Sequence, residues 1–340
     1  MGSSSKTRIQ YIDVARGIAI ISIILGHLGS DNVSRFVYTY DLPLFFLVTG
    51  FFIDEKSSLK QFVKRKFRTL IIPYLITGAA VTIIAMLIGL FTNGDCLTPC
   101  KEWLYAVAYG SGNGWLDPIY IKAVGPIWFF LVTFVAAVLV KVLLNSSTPF
   151  RIFAIAAAFV FGYITSQYFW MPFSIQLGFC SALYVYIGYV FFKEKELLGK
   201  MSSELRLVLL TVCLAVWISF IMRFQSFWMV VCDFGNGLID ILSSVCACVV
   251  IFAISAFIEK HVSPISRILS FLGKNSIFIL CAHTIEFNLF QREYVRPFLS
   301  SLDGAKLTIA LAAIDLTYAI AAGIALSKIK PLRKAFGLKD

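Results

Sequence analysis

The chain alternates long apolar runs with short polar breaks rich in lysine and arginine. Ten apolar segments stand out, over approximately 11–28, 36–53, 70–91, 126–144, 152–169, 174–192, 207–223, 238–258, 271–290 and 306–327. Most come close to the roughly 20 residues that carry a helix across a ~30 Å hydrocarbon core. The runs are continuous and lack the alternation of membrane barrel strands, so they predict helices. The pattern predicts an all-α, polytopic membrane helical bundle of about ten transmembrane helices. No break is long and polar enough for a second folded domain, so residues 1–340 are expected to form a single membrane domain.

Basic residues set the expected orientation. With the N-terminus inside, 22 of the 30 lysines and arginines flank the segments on the inside and 7 on the outside, and Arg16 lies within a segment. That bias alternates correctly along the chain, which predicts both termini in the cytoplasm. Composition agrees: 59% of residues are hydrophobic and 14% charged, whereas ordinary globular chains are about a quarter charged. The net charge of +11 therefore belongs to topology. Membrane lipids are expected partners and nucleic acid is not.

Cysteines add little. Cys180, Cys213, Cys246, Cys248 and Cys281 fall inside apolar runs and read as small core residues. Cys96 and Cys100 share a polar break and would pair only if it faces an oxidising side. Two cysteines without a nearby histidine are a weak zinc signal, and no metal is expected. The long break at about 92–125 interleaves Gly94, Pro99, Gly110, Gly112, Gly114 and Pro118 with Trp103, Tyr105, Tyr109 and Trp115. It reads either as an ordered re-entrant or lid segment or as an interfacial aromatic belt. A second aromatic break, 224–237, carries Asp233.

Candidate chemistry concentrates in the first segment, which carries Asp13, Arg16 and His27 in an otherwise apolar run. Charged groups at membrane depth are costly and are usually kept for a pathway or a reaction. Arg16 and His27 are eleven residues apart, close to three helical turns, so they share nearly one face with an axial offset of roughly 16 Å. Imidazole is the side chain best suited to exchange a proton near neutrality. The guanidinium stays charged and would hold an anion or carboxylate. Asp13 is placed to pair with Arg16 at i, i+3. Ahead of the third segment, six basic residues crowd between Lys56 and Arg68. Arg65 and Arg68 would share a helical face, and arginine forks match phosphate geometry. The plainer reading of the cluster is a positive-inside anchor.

These blocks resemble the acyltransferase type 3 family of membrane proteins. The resemblance rests on Asp13-x2-Arg16-Gly17 with His27 beyond it, on Pro43-Leu-Phe-Phe-Leu-Val-Thr-Gly50-Phe, and on Arg65-x2-Arg68-x4-Pro73-Tyr74. Gly125-Pro126-Ile-Trp128-Phe-Phe-Leu131 and the stretch from Phe271 through Ser276 to His283 are similar to its later blocks. Within the family the chain looks closest to the short branch that O-acetylates sugars, such as fucose 4-O-acetylases and capsule or exopolysaccharide O-acetyltransferases. The resemblance implies acetyl transfer from cytosolic acetyl-CoA to a glycan or lipid-linked sugar, in the bacterial cytoplasmic (inner) membrane. It implies catalytic roles for Arg16 and His27, with Asp13 beside them, and acyl-CoA handling by Arg65, Arg68 and Trp128. Thr49 stands where serine is common. Asp41 stands where the sugar-acetylating branch often has histidine.

Further candidates for the acceptor side are Asp41, His283, Glu286 and Ser276. Glu286 is three residues beyond His283 and able to orient it. Asp240 and Asp315 are intramembrane carboxylates suited to a polar network. His27 would deprotonate the acceptor hydroxyl directly or carry the acetyl group; both routes stay open, as do succinyl and other short-acyl donors. The main rival is a transporter or flippase for a glycolipid or small anion, using the same buried charges as a pathway.

Overall fold

The computed structural model describes residues 9–114, 120–290 and 295–338. Chain order begins with α1 (Gln10–Gly26), α2 (Asp31–Val37), α3 (Asp41–Phe51), α4 (Leu59–Lys66), α5 (Ile72–Asn93), α6 (Leu97–Tyr109), α7 (Trp128–Leu143) and α8 (Thr148–Ser166). It continues with α9 (Ile175–Lys193), α10 (Lys195–Lys200), α11 (Ser203–Met222), α12 (Leu238–His261), α13 (Ser263–Lys274), α14 (Ser276–Leu289), α15 (Gly304–Ser327) and α16 (Lys330–Ala335). Each of the ten apolar segments falls on helix. Among the described residues, six helical stretches are long and apolar enough to cross a bilayer, or seven if the bent pair α13–α14 is one span.

Four expected spans differ from one continuous long helix. Segment 11–28 forms the 17-residue α1, and 126–144 forms the 16-residue α7. Segment 36–53 is split into the end of α2 and the 11-residue α3. The split falls at Tyr38–Tyr40. Asp41 then opens α3, its carboxylate accepting the Leu42 amide at 2.7 Å. Pro43 sits in the first turn, where a missing N–H costs nothing. The pair α13–α14 bends by 68° at Asn275; the Asn275 amide side chain donates to the Phe271 carbonyl at 2.9 Å and so satisfies a group at the break.

Two glycine contacts decide how the helices around the site approach. A Cβ on Gly17 would stand 2.1 Å from the Leu269 carbonyl oxygen, and one on Gly273 would stand 1.9 Å from that of Asp13. Backbone therefore lies on backbone where α1 crosses α13. Gly50 and Gly188 do the same where α3 crosses α9, each 2.1 Å from a facing carbonyl by the same measure. Small residues that let backbones touch are the usual adhesive of helices in lipid, where apolar burial offers no net gain. Polar pairs supplement them: Ser22 with Tyr40 at 2.8 Å, Tyr184 with Ser244 at 2.9 Å, and Trp217 donating to Thr39 at 2.9 Å.

Lys141 is buried near the end of α7, where its ammonium donates to the Asp54 and Glu55 carbonyls at 2.6 and 3.1 Å. It ties α7 to the α3–α4 connection. At the periphery, α8, α11 and α15 leave most of their apolar side chains at least partly exposed, including Phe153, Leu207 and Ile309. Apolar surface on that scale fits lipid contact.

The 92–125 break is ordered in large part. It contains α6, with Trp103 buried and Tyr105 exposed; Trp115 and Pro118 lie outside the described residues. Cys96 and Cys100 are both free thiols.

Candidate functional site: two cavities along the first helix

Arg16, Ile20, Ile23 and His27 form one stripe of α1 and its C-terminal cap. The stripe faces two cavities instead of one common cleft. Arg16 lines a cavity of about 200 Å³ together with Ile20, Thr49, Lys66, Thr133 and Ser276. His27 lines another of about 310 Å³, with Tyr38, Asp41, Asn113, Trp128 and Phe287 among its walls. Ile23, Phe129 and Leu280 belong to both linings and form the waist between them.

The end of α1 shows why His27 is held. The last four carbonyls of a helix lack intrahelical partners. Here the His27 ring takes Ile23, the His27 and Leu28 amides take Ile24 and Leu25, and the Tyr38 hydroxyl takes Gly26 at 2.8 Å. The ring contact is His27 Nδ1 to the Ile23 carbonyl oxygen, 2.7 Å. A carbonyl only accepts, so the network assigns the proton to Nδ1 and leaves the lone pair of the neutral ring on Nε2.

His283 continues this arrangement from α14. Its Nε2 stands 3.3 Å from His27 Nδ1, and its Nδ1 stands 3.0 Å from Glu286 Oε2. Because His27 Nδ1 carries a proton, His283 Nε2 must accept. The His283 proton then sits on Nδ1 and is donated to the Glu286 carboxyl. Phe287 packs edge-on against His27 with centroids 4.9 Å apart. His283 is fully buried.

At the other end of the stripe, Arg16 donates to Ser276 Oγ at 2.8 Å and lies 3.7 Å from Asp13 Oδ1. The expected i, i+3 pair is therefore present. Arg65 and Arg68 are not among the residues lining the Arg16 cavity. Arg65 pairs with Asp54 at 3.5 Å, and Arg68 donates to the Lys334 carbonyl in α16. Lys66, between them, lines the cavity. A π-helical turn over Phe67–Ile71 follows directly. Such a turn holds an extra residue and offsets the faces before and after it.

Trp128, expected on the acyl-CoA side, opens α7 in the His27 cavity, and Asp41, at the start of α3, lines the same cavity. Gly112 lies against Trp128: a Cβ there would be 2.3 Å from the indole. Residues of both aromatic breaks, Asn113 from the first and Phe227 to Val230 from the second, complete that cavity. Asp240 accepts from the Asn236 amide at 2.7 Å and closes its own helix start. Among the described residues, neither Asp240 nor Asp315 lines either cavity.

Sequence reasoning missed Lys66, Asn113, Phe287 and the waist. The basic cluster and the two aromatic breaks were the available signals.

Comparison with known families settles the class. A family model described as an acyltransferase domain, acyltransferase type 3, matches residues 9–327. The chain belongs to this family. No curated protein and no solved structure matches it. Membership makes it a membrane acyltransferase and does not favour the transport reading. The matched span contains the whole stripe from Arg16 to His27, the waist residues Phe129 and Leu280, and the His283–Glu286 pair.

Proposed function

We propose that the protein moves an acetyl group from cytosolic acetyl-CoA to a hydroxyl of a cell-surface or lipid-linked glycan. The observation that carries this reading is the pair of cavities meeting at Ile23, Phe129 and Leu280, one holding Arg16 and the other His27. At about 200 Å³ the Arg16 cavity is smaller than the 300–1,000 Å³ of pockets that enclose drug-sized ligands. It suits a narrow acyl-bearing arm and not a whole nucleotide. Arg65 and Arg68, on the exposed face beside it, would take the donor's phosphates after release from their present partners. Lys66 and Arg16 would steady the polar groups of the arm.

The His27 cavity, at about 310 Å³, suits one sugar ring, with Trp128 as an apolar wall and Asp41 and Asn113 as hydrogen-bonding groups. His27 Nε2 would take the acceptor hydroxyl proton as oxygen attacks the thioester carbon. The C–S bond then breaks, and the same proton passes to the departing sulfur. Ten crossings with both termini cytoplasmic belong to the same reading, which opens the Arg16 cavity towards cytosolic donor and the His27 cavity towards exported acceptor. The lysine and arginine asymmetry supports it, and the membrane in this reading is the bacterial inner membrane.

Purified protein given labelled acetyl-CoA tests the reading. Wild type should release CoA thiol and transfer label to extracted glycan lipid, and His27→Ala and Arg16→Ala should do neither. Label transfer that persists in His27→Ala would remove the proposed base.

A further inference from the structure

The three groups Glu286, His283 and His27 form a chain whose proton positions are fixed from one end by a backbone carbonyl. We infer that His283 and Glu286 are positioning residues for His27: they hold its reactive tautomer and balance the charge it gains. This rests on the transfer reading for what His27 does, but the chain itself is independent of any substrate.

The argument is one of donors and acceptors. His27 Nδ1 lies within hydrogen-bond distance of two atoms, the Ile23 oxygen at 2.7 Å and His283 Nε2 at 3.3 Å. The first admits only an acceptor role, so Nδ1–H is shared between both. His283 then has its own proton on Nδ1, 3.0 Å from Glu286 Oε2. Reversing His283 alone would set two N–H groups against each other, and reversing His27 alone would set its bare Nδ1 against two acceptors, the Ile23 oxygen and His283 Nε2. The alternative tautomer of His27, with its lone pair turned to Ile23, is disfavoured twice over. Orienting an imidazole in this way through a carboxylate is the logic of catalytic triads, here with a second imidazole inserted.

Charge leads to the same conclusion. When His27 Nε2 takes a proton, the ring becomes cationic inside the bundle, where an uncompensated charge is costly. Its Nδ1–H can then be passed towards His283 Nε2, and the Nδ1–H of His283 is held by the Glu286 carboxyl. Positive charge spreads over two rings and ends on an acidic group. Proton count is conserved, since the proton gained from the acceptor returns to the sulfur from Nε2. The end of α1 adds its negative dipole at the same ring. Phe287 packs against both imidazoles, with centroids 4.9 and 6.0 Å away, and so excludes rotation.

The arrangement also distinguishes His283 from a residue that binds the acceptor. Both of its ring nitrogens are engaged by protein atoms, and it does not line the His27 cavity.

Full-length protein in detergent would be treated with diethyl pyrocarbonate, which modifies neutral imidazole nitrogen, and modification of His27 followed by peptide mass. No acyl donor is needed. Glu286→Gln should slow His27 modification by about tenfold, with Glu286→Asp regaining most of it, and should lower kcat for acetyl transfer by roughly 10–100-fold with KM little changed, as loss of an orienting partner does elsewhere. His283→Gln, which keeps an acceptor beside His27 Nδ1 but cuts the link to Glu286, should match Glu286→Gln and serves if that variant does not stay monodisperse. An unchanged His27 rate in both variants overturns the inference whether or not acetyl is transferred. If the rates fall as stated but wild type releases no CoA, the positioning chain stands and the transfer reading fails.

Discussion

Arg16 and Ser276 join the first helix to the start of α14 through a guanidinium–hydroxyl hydrogen bond of 2.8 Å. Ser276 follows the 68° bend at Asn275, so the bond sets the angle at which α14 leaves the bend and brings His283 to His27. Ser276→Ala should therefore cost about 1.5–3 kcal/mol of stability, the range for hydrogen bonds to charged groups. It should also lower transfer in proportion to displacement of His283. Arg16→Lys should not rescue Arg16→Ala, because an ammonium cannot reach Ser276 and Asp13 with one planar fork. Thermal unfolding in detergent and CoA release read the two effects separately.

Gly17 and Gly273 make a second prediction about the same crossing. A methyl at either position points into facing backbone at 2.1 or 1.9 Å, and backbone cannot turn aside as a flexible side chain can. Gly17→Ala and Gly273→Ala should each destabilise by about 1–3 kcal/mol, the usual cost of overpacking. Activity should fall further than stability, since α1 carries Arg16 while α13 leads into Ser276 and His283. A variant with wild-type melting and wild-type turnover would show that the helices separate freely.

Lys66 can be told apart from its arginine neighbours by trimming the donor. Arg65 is about half exposed and paired with Asp54, whereas Lys66 lines the Arg16 cavity. With acetyl-CoA, Lys66→Ala, Arg65→Ala and Arg68→Ala should all raise KM, each by about tenfold, or ~1.4 kcal/mol. With acetyl-pantetheine, which lacks the nucleotide phosphates, only Lys66→Ala should still matter. Equal sensitivity of all three with the short donor would place Lys66 at the mouth with the arginines.

The apolar pattern carried the fold a long way. Every segment read from it lies on helix, because a continuous apolar run in lipid has no other stable form. The Arg16–His27 stripe was legible too, since helical geometry alone aligns residues eleven apart. What stayed hidden depends on tertiary contacts. The waist takes one residue each from α1, α7 and α14, far apart in sequence. His283 meets His27 only because α13 and α14 bend at Asn275. Lys66, and neither arginine, lines the cavity, while Asp54 and the Lys334 carbonyl hold Arg65 and Arg68 elsewhere. Nothing in the basic run itself ranks one of these cations above another.

Thr133 supplies a prediction whose sign is unusual. Its hydroxyl oxygen, in the wall of the Arg16 cavity, is buried and has no hydrogen-bond partner among the described residues. Valine has the same shape without the polar atom. Burying an unsatisfied group costs about 1–3 kcal/mol, so Thr133→Val should raise the melting temperature of the ligand-free protein. A lower melting temperature would mean that the hydroxyl is satisfied in solution.

The waist leads to the last prediction, which concerns acyl length. For the thioester carbon to come within reach of His27, the acyl group must pass the wall that Ile23, Phe129 and Leu280 form between the two cavities. Phe129 is the largest of the three and is fixed by neighbouring rings, with centroids 5.1 Å from Phe46 and 5.7 Å from Phe45. It cannot rotate away without disturbing both. A donor longer than acetyl must therefore compete with the phenyl ring for space. Shortening the ring's successor, as in Phe129→Leu or Phe129→Ala, should improve butyryl over acetyl transfer by roughly 10–200-fold, the discrimination that methylene-sized differences in an apolar pocket provide. Leu280→Ala should do the same to a smaller degree than Phe129→Ala, because less volume is removed. Measuring kcat/KM for acetyl, propionyl, butyryl and hexanoyl donors against each variant separates a steric waist from general damage: damage lowers all four, whereas an opened waist moves the optimum. If the ratio of butyryl to acetyl stays constant in both variants, the acyl group does not lie between the two cavities, and the assignment of donor to one and acceptor to the other loses its main geometric support.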